Sequence, residues 1–323
     1  MVVIGTWNLQ NLSRPGAGPG TPQDEAAYET KLDGLASTVN RLDPVLLGVQ
    51  EVLDPKALDD LVERLDGHWH VLLSEHPDSA PHHPIRVGFL SRRPMKRLAD
   101  TTAFPEQLLP VQSGDDGGTI HAMGRGVLAV EIEPAPGHPL TAAVCHLKSK
   151  LLKFPDKQNP NQDRFDTDDE GERARVGAYA LFRRGAEAAA VRALADELLA
   201  GHGDTRDVAV LGDFNDGPKA ATTQILYGPP GSQLDHPRGA ARPDPGDAMR
   251  LWNLAPLIKE NAFSRVFEGE KELIDHILVS HSVLARAKKV FTGAGEPLES
   301  TGEQPKAGKQ PSDHAPVLAE LAY

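Results

Sequence analysis

Cysteine is almost absent: Cys145 is the only one in 323 residues. A lone thiol cannot close an internal disulfide, so the chain lacks the staples of small secreted domains. Long apolar runs are missing too, and none approaches the roughly 20 residues needed to span a bilayer. The first residues show no basic segment followed by an apolar one. "MVVIGTWNL" runs straight into a core-like strand, so no signal peptide is expected and the default compartment is the cytoplasm. Positive charge is also scarce, with 34 Lys plus Arg against 46 acids and a net charge of −12. Proteins that grip long nucleic acid by neutralising phosphates are usually basic on at least one face, so tight non-specific duplex binding is disfavoured. A local basic track remains compatible with that balance. There is no Cys/His spacing for structural zinc, no G-x-x-x-x-G-K-[ST], no G-x-S-x-G and no repeat of fixed period.

What is present is enough for a large core. At 39% hydrophobic residues, a chain of this length buries most of its unfolded surface without covalent help. Short runs rich in Val, Leu and Ile predict strands near 2–9, 45–51, 69–74, 86–91, 125–132, 140–147, 207–212, 273–279 and 315–321. Apolar residues at steps of three and four, such as Tyr28, Leu32, Leu35, Val39 and Leu42, predict a helix over 25–42. Two more are expected at 57–65 and about 168–200, the latter opening on a capping box from Thr167 to Glu170. Strand after strand over 69–147, with helices elsewhere, reads as two sheets packed face to face with helices outside. Residues 1–323 are expected to form one domain, with loop insertions at 154–167 and 228–247.

Six of these apolar segments border acid, amide or imidazole. "GTWNLQN" carries Asn8, "LLGVQEV" carries Gln50 and Glu51, and "AAVCHLKSK" reaches His146. "VLGDFND" gives Asp213 and Asn215, "LIDHILVS" gives Asp275 and His276, and "PSDHAPVL" gives Asp313 and His314. One such residue reads as a turn capping its own backbone. Six at sheet ends suggest a shared site, since buried strands do not finish in carboxylates without a use for them. Oxygen donors from Asn, Glu and Asp suit a hard cation such as Mg²⁺, and nearby histidines suit proton transfer and phosphate-charge stabilisation.

The ordered set W-N-x-x-N, Q-E, H-L-K-S, G-D-F-N-D, I-D-H-I-L and S-D-H resembles the endonuclease/exonuclease/phosphatase (DNase I-like) superfamily. Its motifs fall at residues 6–11, 50–51, 146–149, 212–216, 274–278 and 312–314, nearly the whole chain. The resemblance implies an α/β fold, a four-layer α/β/β/α sandwich of two mixed β-sheets flanked by helices. It implies a Mg²⁺ or Mn²⁺ ion held by Asn8, Glu51 and Asp313, with Glu51 the principal ligand. It implies that Asp213 orients or deprotonates the attacking water and that Asn215 holds the water or the phosphate. His314, oriented by Asp275, would act on the phosphate or the water, and His146 would hydrogen-bond a phosphate oxygen. Two stretches depart from the pattern: Gln10 replaces an acid typical of DNA-repair members, and Ile85 and Arg86 stand where DNase I-like members steer the second histidine with a carboxylate just upstream of a strand. The partner of His146 is therefore open.

Other features have plainer readings. His68, His70, His76, His82 and His83 lie in a Pro-rich context that reads as exposed loop. The acids of "DRFDTDDEGE" could bind a second cation, but helix capping accounts for them. Arg125, Lys148 and Lys150 are candidate substrate contacts, with Lys153 and Lys157 continuing the basic track. Trp7 and Trp252 read as core. The expected function is a metal-dependent phosphodiesterase acting on nucleic acid, as a monomer with no membrane span and no protein partner. The alternatives are an inositol-phosphate phosphatase or a phospholipase C/sphingomyelinase-type hydrolase on the same fold, and a non-catalytic binding module.

Overall fold

The computed structural model describes all residues except Pro19, 77–84, 156–162, 229–232, 235–245, 294–297, 299 and 302–310. His82, His83, Lys157 and much of both expected insertions thus lie outside the described residues. The main elements are β1 (Val2–Leu12), α1 (Glu25–Leu42), β2 (Leu46–Val52), α2 (Pro55–Val62), β3 (His70–Leu73) and β4 (Arg86–Ser91). Next come β5 (Lys96–Ala103), β6 (Ala122–Ala135), β7 (His138–His146), α3 (Glu170–Leu199), β8 (Val208–Asp213) and α4 (Ala221–Tyr227). The chain closes with β9 (Trp252–Asn253), β10 (Asp275–Val279), α5 (His281–Arg286), β11 (Ala287–Thr292) and β12 (Val317–Leu321).

Two six-stranded mixed sheets result, in the orders β11-β12-β1-β2-β4-β3 and β9-β10-β8-β7-β6-β5. Their inner faces share one core, in which Ile4, Leu46 and Phe89 of the first sheet meet Val144, Leu211 and Ile277 of the second. The outer face of the first sheet packs Trp7, Leu9 and Val49 against Tyr28, Leu32 and Leu35 of α1 and Leu58 and Leu61 of α2. The outer face of the second packs Val127, Cys145 and Val210 against Ala188, Val191 and Ala195 of α3. This is the four-layer α/β/β/α sandwich. Covering both faces of each sheet explains why "VAVL" has no polar alternation: Val208 and Val210 face the helix while Ala209 and Leu211 face the other sheet. Trp7 and Trp252 are both core residues.

The sheets approach closely at one point. A Cβ on Gly48 would lie 2.1 Å from Leu211 Cδ1 and 3.0 Å from Val144 Cγ2, so only glycine lets the second sheet seat there. Helix α1 starts at Asp24, whose side chain accepts from the Ala27 N–H at 2.8 Å, and ends at Asp43 in the left-handed region. The start of α3 corrects the expected capping box. Asp169 is the cap, accepting from the Glu172 N–H at 2.9 Å, while the Thr167 hydroxyl donates to the Glu172 carboxylate at 2.6 Å. The cap is shifted by two residues because a carboxylate immediately before the helix captures the free Glu172 N–H, and the Asp169 N–H bonds the Thr167 hydroxyl at 3.2 Å.

Candidate active site

Strand register assembles the site. Asp213, the last residue of β8, pairs across the ladder with Asp275 on antiparallel β10 and with His146 on parallel β7. A row of three polar residues therefore crosses the tip of the second sheet. Gly212 permits it, since a Cβ there would fall 1.9 Å from the Cys145 carbonyl oxygen and its φ is +149°. In the facing sheet Asn8 pairs with Gln50, after which the ladder of β1 and β2 shifts register. At the shift Gln10, Asn11 and Glu51 all adopt positive φ, at 49°, 51° and 59°. Such a break ends the pairing and re-aims a side chain, here Glu51, off the sheet.

These tips meet through hydrogen bonds. The Asn8 Nδ2 amide donates to Glu51 Oε1 and to Asp213 Oδ2, both at 3.0 Å, joining the sheets directly. Asn8 Oδ1 accepts from the Gln10 N–H at 2.9 Å, and Glu51 Oε2 accepts from the Asn11 N–H at 2.9 Å. Asp213 Oδ1 accepts from the Asn215 N–H at 2.8 Å, while the Asn215 Nδ2 donates to the Leu147 carbonyl at 3.0 Å. His146 Nε2 lies 3.3 Å from Asp213 Oδ2 and 4.0 Å from Glu51 Oε1. Its Nδ1 is buried with no hydrogen-bond partner among the described residues, so none of their carboxylates steers that ring from behind.

The Asp275–His314 pair is in place. His314 Nδ1 lies 2.7 Å from Asp275 Oδ2, with both side chains buried. Burial opposes a charge on His314, but the Asp275 carboxylate, with Asp313 and Asp213 beyond it, outweighs burial and raises the imidazole to about 10. Asp213 moves up to about 7, through burial first and the Asp275 charge second. His146 is pushed well below its ordinary range by burial and then by the Arg125 and His314 cations. The site thus separates a basic imidazole, a neutral imidazole and a carboxylate near neutrality.

A cavity of about 700 Å³ opens over this floor, lined by Glu51, His146, Asp213, Asn215, Asp313 and His314. Its walls add Arg125, Lys150, Arg173 and Arg265 together with Leu151, Phe154, Phe165 and Phe267. Carboxylate oxygens suit a hard divalent ion. Asp213, Asp275 and His314 each offer a ligand atom within 4.8 Å of the others and could hold a divalent metal. Asp275 Oδ1 is also buried without a hydrogen-bond partner among the described residues, as a site for a cation allows. Glu51 and Asp313, 20% and 16% exposed at their side chains, offer further oxygens to the cavity.

The proposed substrate contacts divide. Arg125 and Lys150 line the cavity, Arg125 donating to the Leu147 carbonyl at 3.0 Å and Lys150 to Glu272 Oε1 at 2.8 Å. Lys148 does not line it. Its ammonium donates to the carbonyls of Ser149 and Leu151, both at 2.9 Å, so the side chain folds onto its own backbone. His68 is exposed and packs edge-on to His70 of β3 at 4.7 Å, apart from this cavity. Sequence reasoning did not single out Lys31, Arg265, Arg184 or Glu187. Lys31 on α1 donates to the Pro311 carbonyl at 2.6 Å, just before Asp313. Arg265 forms an isolated bridge beside His314 and sits 3.7 Å from Asp313 Oδ2. None belongs to a local motif.

Comparison with known proteins agrees with this geometry. The sequence model of the endonuclease/exonuclease/phosphatase family matches residues 5–314, and the chain belongs to that family. No curated protein matches it. Among solved structures it is similar to a mannosyl-6-phosphatase of Bacteroides thetaiotaomicron, with 15% identity, a TM-score of 0.59 and 100% of both chains covered. It is similar to the human Nocturnin catalytic domain, at 14% identity and a TM-score of 0.53, covering 99% of this chain and 94% of that one. A truncated TDP2 of Caenorhabditis elegans shows 16% identity and a TM-score of 0.54, with 98% of this chain and 96% of that one covered. At these identities the structural likeness concerns the fold. Family and ligand cluster together support a metal-dependent phosphoesterase.

Proposed function

We propose that the chain is a Mg²⁺- or Mn²⁺-dependent phosphodiesterase that hydrolyses nucleic acid by in-line attack of water. The observation that carries the reading is the placement of Asp213 between two partners, the Asp275–His314 pair on one side and the Asn8–Glu51 pair on the other. Glu51 and Asp313 would hold the ion, with Asn8 bracing Glu51 through its amide. This leaves His314 to its 2.7 Å contact with Asp275. The chemistry a bound ion supplies is polarisation of a phosphoryl oxygen and stabilisation of the leaving oxygen.

The chain's own residues do the rest. Asp213, raised to about 7, is a base of suitable strength for a water proton near neutral pH. Asn215, fixed by the Leu147 carbonyl, presents its remaining oxygen toward the same water or the phosphate. His314, kept cationic by Asp275, meets the growing charge on the phosphate, and His146 supplies a neutral N–H to a phosphoryl oxygen. Arg125 and Lys150 add positive charge, while Phe165 and Phe267 offer faces to a base.

A net charge of −12 favours a second reading, a phosphomonoesterase of a small phosphorylated molecule. One of the similar structures bears the name mannosyl-6-phosphatase. The test is a panel of bis(p-nitrophenyl) phosphate, p-nitrophenyl phosphate, a sugar 6-phosphate and a single-stranded oligonucleotide, with Mn²⁺ or with EDTA. The proposal expects metal-dependent cleavage of the diester and the oligonucleotide. Turnover of monoesters alone selects the second reading, and no turnover of any ester selects a binding module.

A further inference from the structure

Helix α3 holds a carboxylate that the site chemistry does not use. Glu187 is 1% exposed, among the buried residues Arg184, Ala186, Ala188, Ala190 and Val191 of the same helix. An ionised carboxylate is costly to bury unless its oxygens are fully used. Here they are. Oε1 accepts from the Gly124 N–H at 3.1 Å and from Arg183 Nε at 2.9 Å, and Oε2 accepts from the Lys148 N–H at 2.6 Å. One carboxylate therefore bridges backbone N–H groups of two segments, one immediately before Arg125 and the other two residues after His146.

Neighbouring groups complete a clamp on the segment after His146. The Leu147 N–H donates to the Asp213 carbonyl at 2.9 Å. The Leu147 carbonyl accepts from Arg125 and Asn215, each at 3.0 Å. Arg184, one helical turn from Glu187, donates to the Lys148 carbonyl at 3.1 Å. Such an anchor serves His146, because its Nδ1 has no hydrogen-bond partner among the described residues. We infer that Glu187 is a positioning residue, which sets His146 and Arg125 against each other by gripping the backbone beside both. This inference rests on the phosphoesterase reading for its catalytic consequence. It supplies the anchor that other arrangements provide with a carboxylate on the far imidazole nitrogen.

Glu187→Gln is the informative change. The amide keeps the shape but has one acceptor oxygen, so its NH₂ must face either the Gly124 or the Lys148 N–H, donor against donor. One segment is then released, and Arg183 loses its counter-charge. With bis(p-nitrophenyl) phosphate and Mn²⁺, kcat/KM is expected to fall about 10- to 100-fold, the scale of a small misplacement of reacting groups. Combined with His146→Ala, Glu187→Gln should cost clearly less than it does alone, retaining only the part exerted through Arg125, because Glu187 and His146 act together. A merely structural role would instead multiply the two losses. In parallel, the imidazole NMR resonances of His146 should move or broaden in Glu187→Gln while those of exposed His138 stay in place. Should Glu187→Gln fail to fold, Glu187→Asp, too short to reach both N–H groups, carries the same expectations. Unchanged His146 resonances, or unchanged kcat/KM in an active protein, would overturn the inference. A wild-type protein inactive on every ester would count against the phosphoesterase reading alone, and the NMR comparison would still decide the role of Glu187.

Discussion

At the scale of single residues, the arrangement turns on one short contact, His314 Nδ1 to Asp275 Oδ2 at 2.7 Å. A histidine beside a phosphate is useful only if its protonation and orientation are fixed, and this carboxylate does both. Asp275→Asn is expected to lower kcat by at least about two orders of magnitude, as for other positioned acid–base partners. His314→Ala should be as damaging and the double variant little worse than either single, measured as kcat on a diester at saturating Mn²⁺. Independent multiplication of the two losses would show that the residues do not work as a pair. The polar residues gathered at these tips were legible in the sequence because each interrupts or borders an apolar run. The direction of a side chain was not. Lys148 lies two residues from His146 yet curls onto Ser149 and Leu151, a direction set by the path of the backbone that no residue pattern records. Glu187 and Arg184 were invisible for another reason: on a helix as charged as α3, a buried acid looks like its exposed neighbours until the fold shows which face is covered.

At the scale of elements, the parallel pairing of β7 and β8 brings His146 level with Asp213, and Gly212 lets the two strands run that close. Gly212→Ala would press a methyl group into the Cys145 carbonyl at 1.9 Å, backbone against backbone, at a φ that L residues rarely adopt. Such a clash cannot be relieved by a rotamer change. The expectation is a loss of stability of more than about 3 kcal/mol, in the range reserved for severe backbone and packing defects, read as a drop in the urea midpoint. Gly217→Ala, four residues beyond Asp213 with no atom within 4 Å of its new Cβ, should leave the midpoint nearly unchanged. Equal effects of the two substitutions would contradict this account of the β7–β8 approach. The long central strands were legible because covering both faces leaves continuous apolar runs. Edge strands β5 (Lys96–Ala103) and β11 (Ala287–Thr292) were missed, since exposed Lys96, Arg97, Lys288 and Lys289 dilute their pattern. Polar edge residues of this kind also discourage pairing with other chains.

At the scale of the whole molecule, no helix among the described residues is long and apolar enough to cross a membrane, and the fold is built around its inter-sheet core. Acid stability carries a prediction. His276 is buried, its Nε2 lies 2.8 Å from the Asp216 carbonyl, and burial pulls its pKa below the ordinary 6.5 despite that contact. A histidine with a depressed folded pKa leaves the unfolded chain binding more protons as pH falls below the ordinary value. Its contribution is therefore present above about 6.5 and lost as pH drops toward the folded value. His276→Gln should lower Tm at neutral pH but flatten its decline between about pH 7 and pH 5. A decline parallel to that of wild type would show that His276 does not titrate on unfolding in this range. The central claim, that acid-tipped facing strands form a metal-dependent phosphoesterase centre, is tested most directly by turnover of bis(p-nitrophenyl) phosphate by wild type and Glu51→Gln, with EDTA and then with Mn²⁺ restored. The account predicts that wild-type activity vanishes with EDTA and returns with Mn²⁺, while Glu51→Gln stays folded and inactive at the Mn²⁺ concentration that saturates wild type. Turnover that survives EDTA, or a Glu51→Gln protein that matches wild type under those conditions, would contradict it.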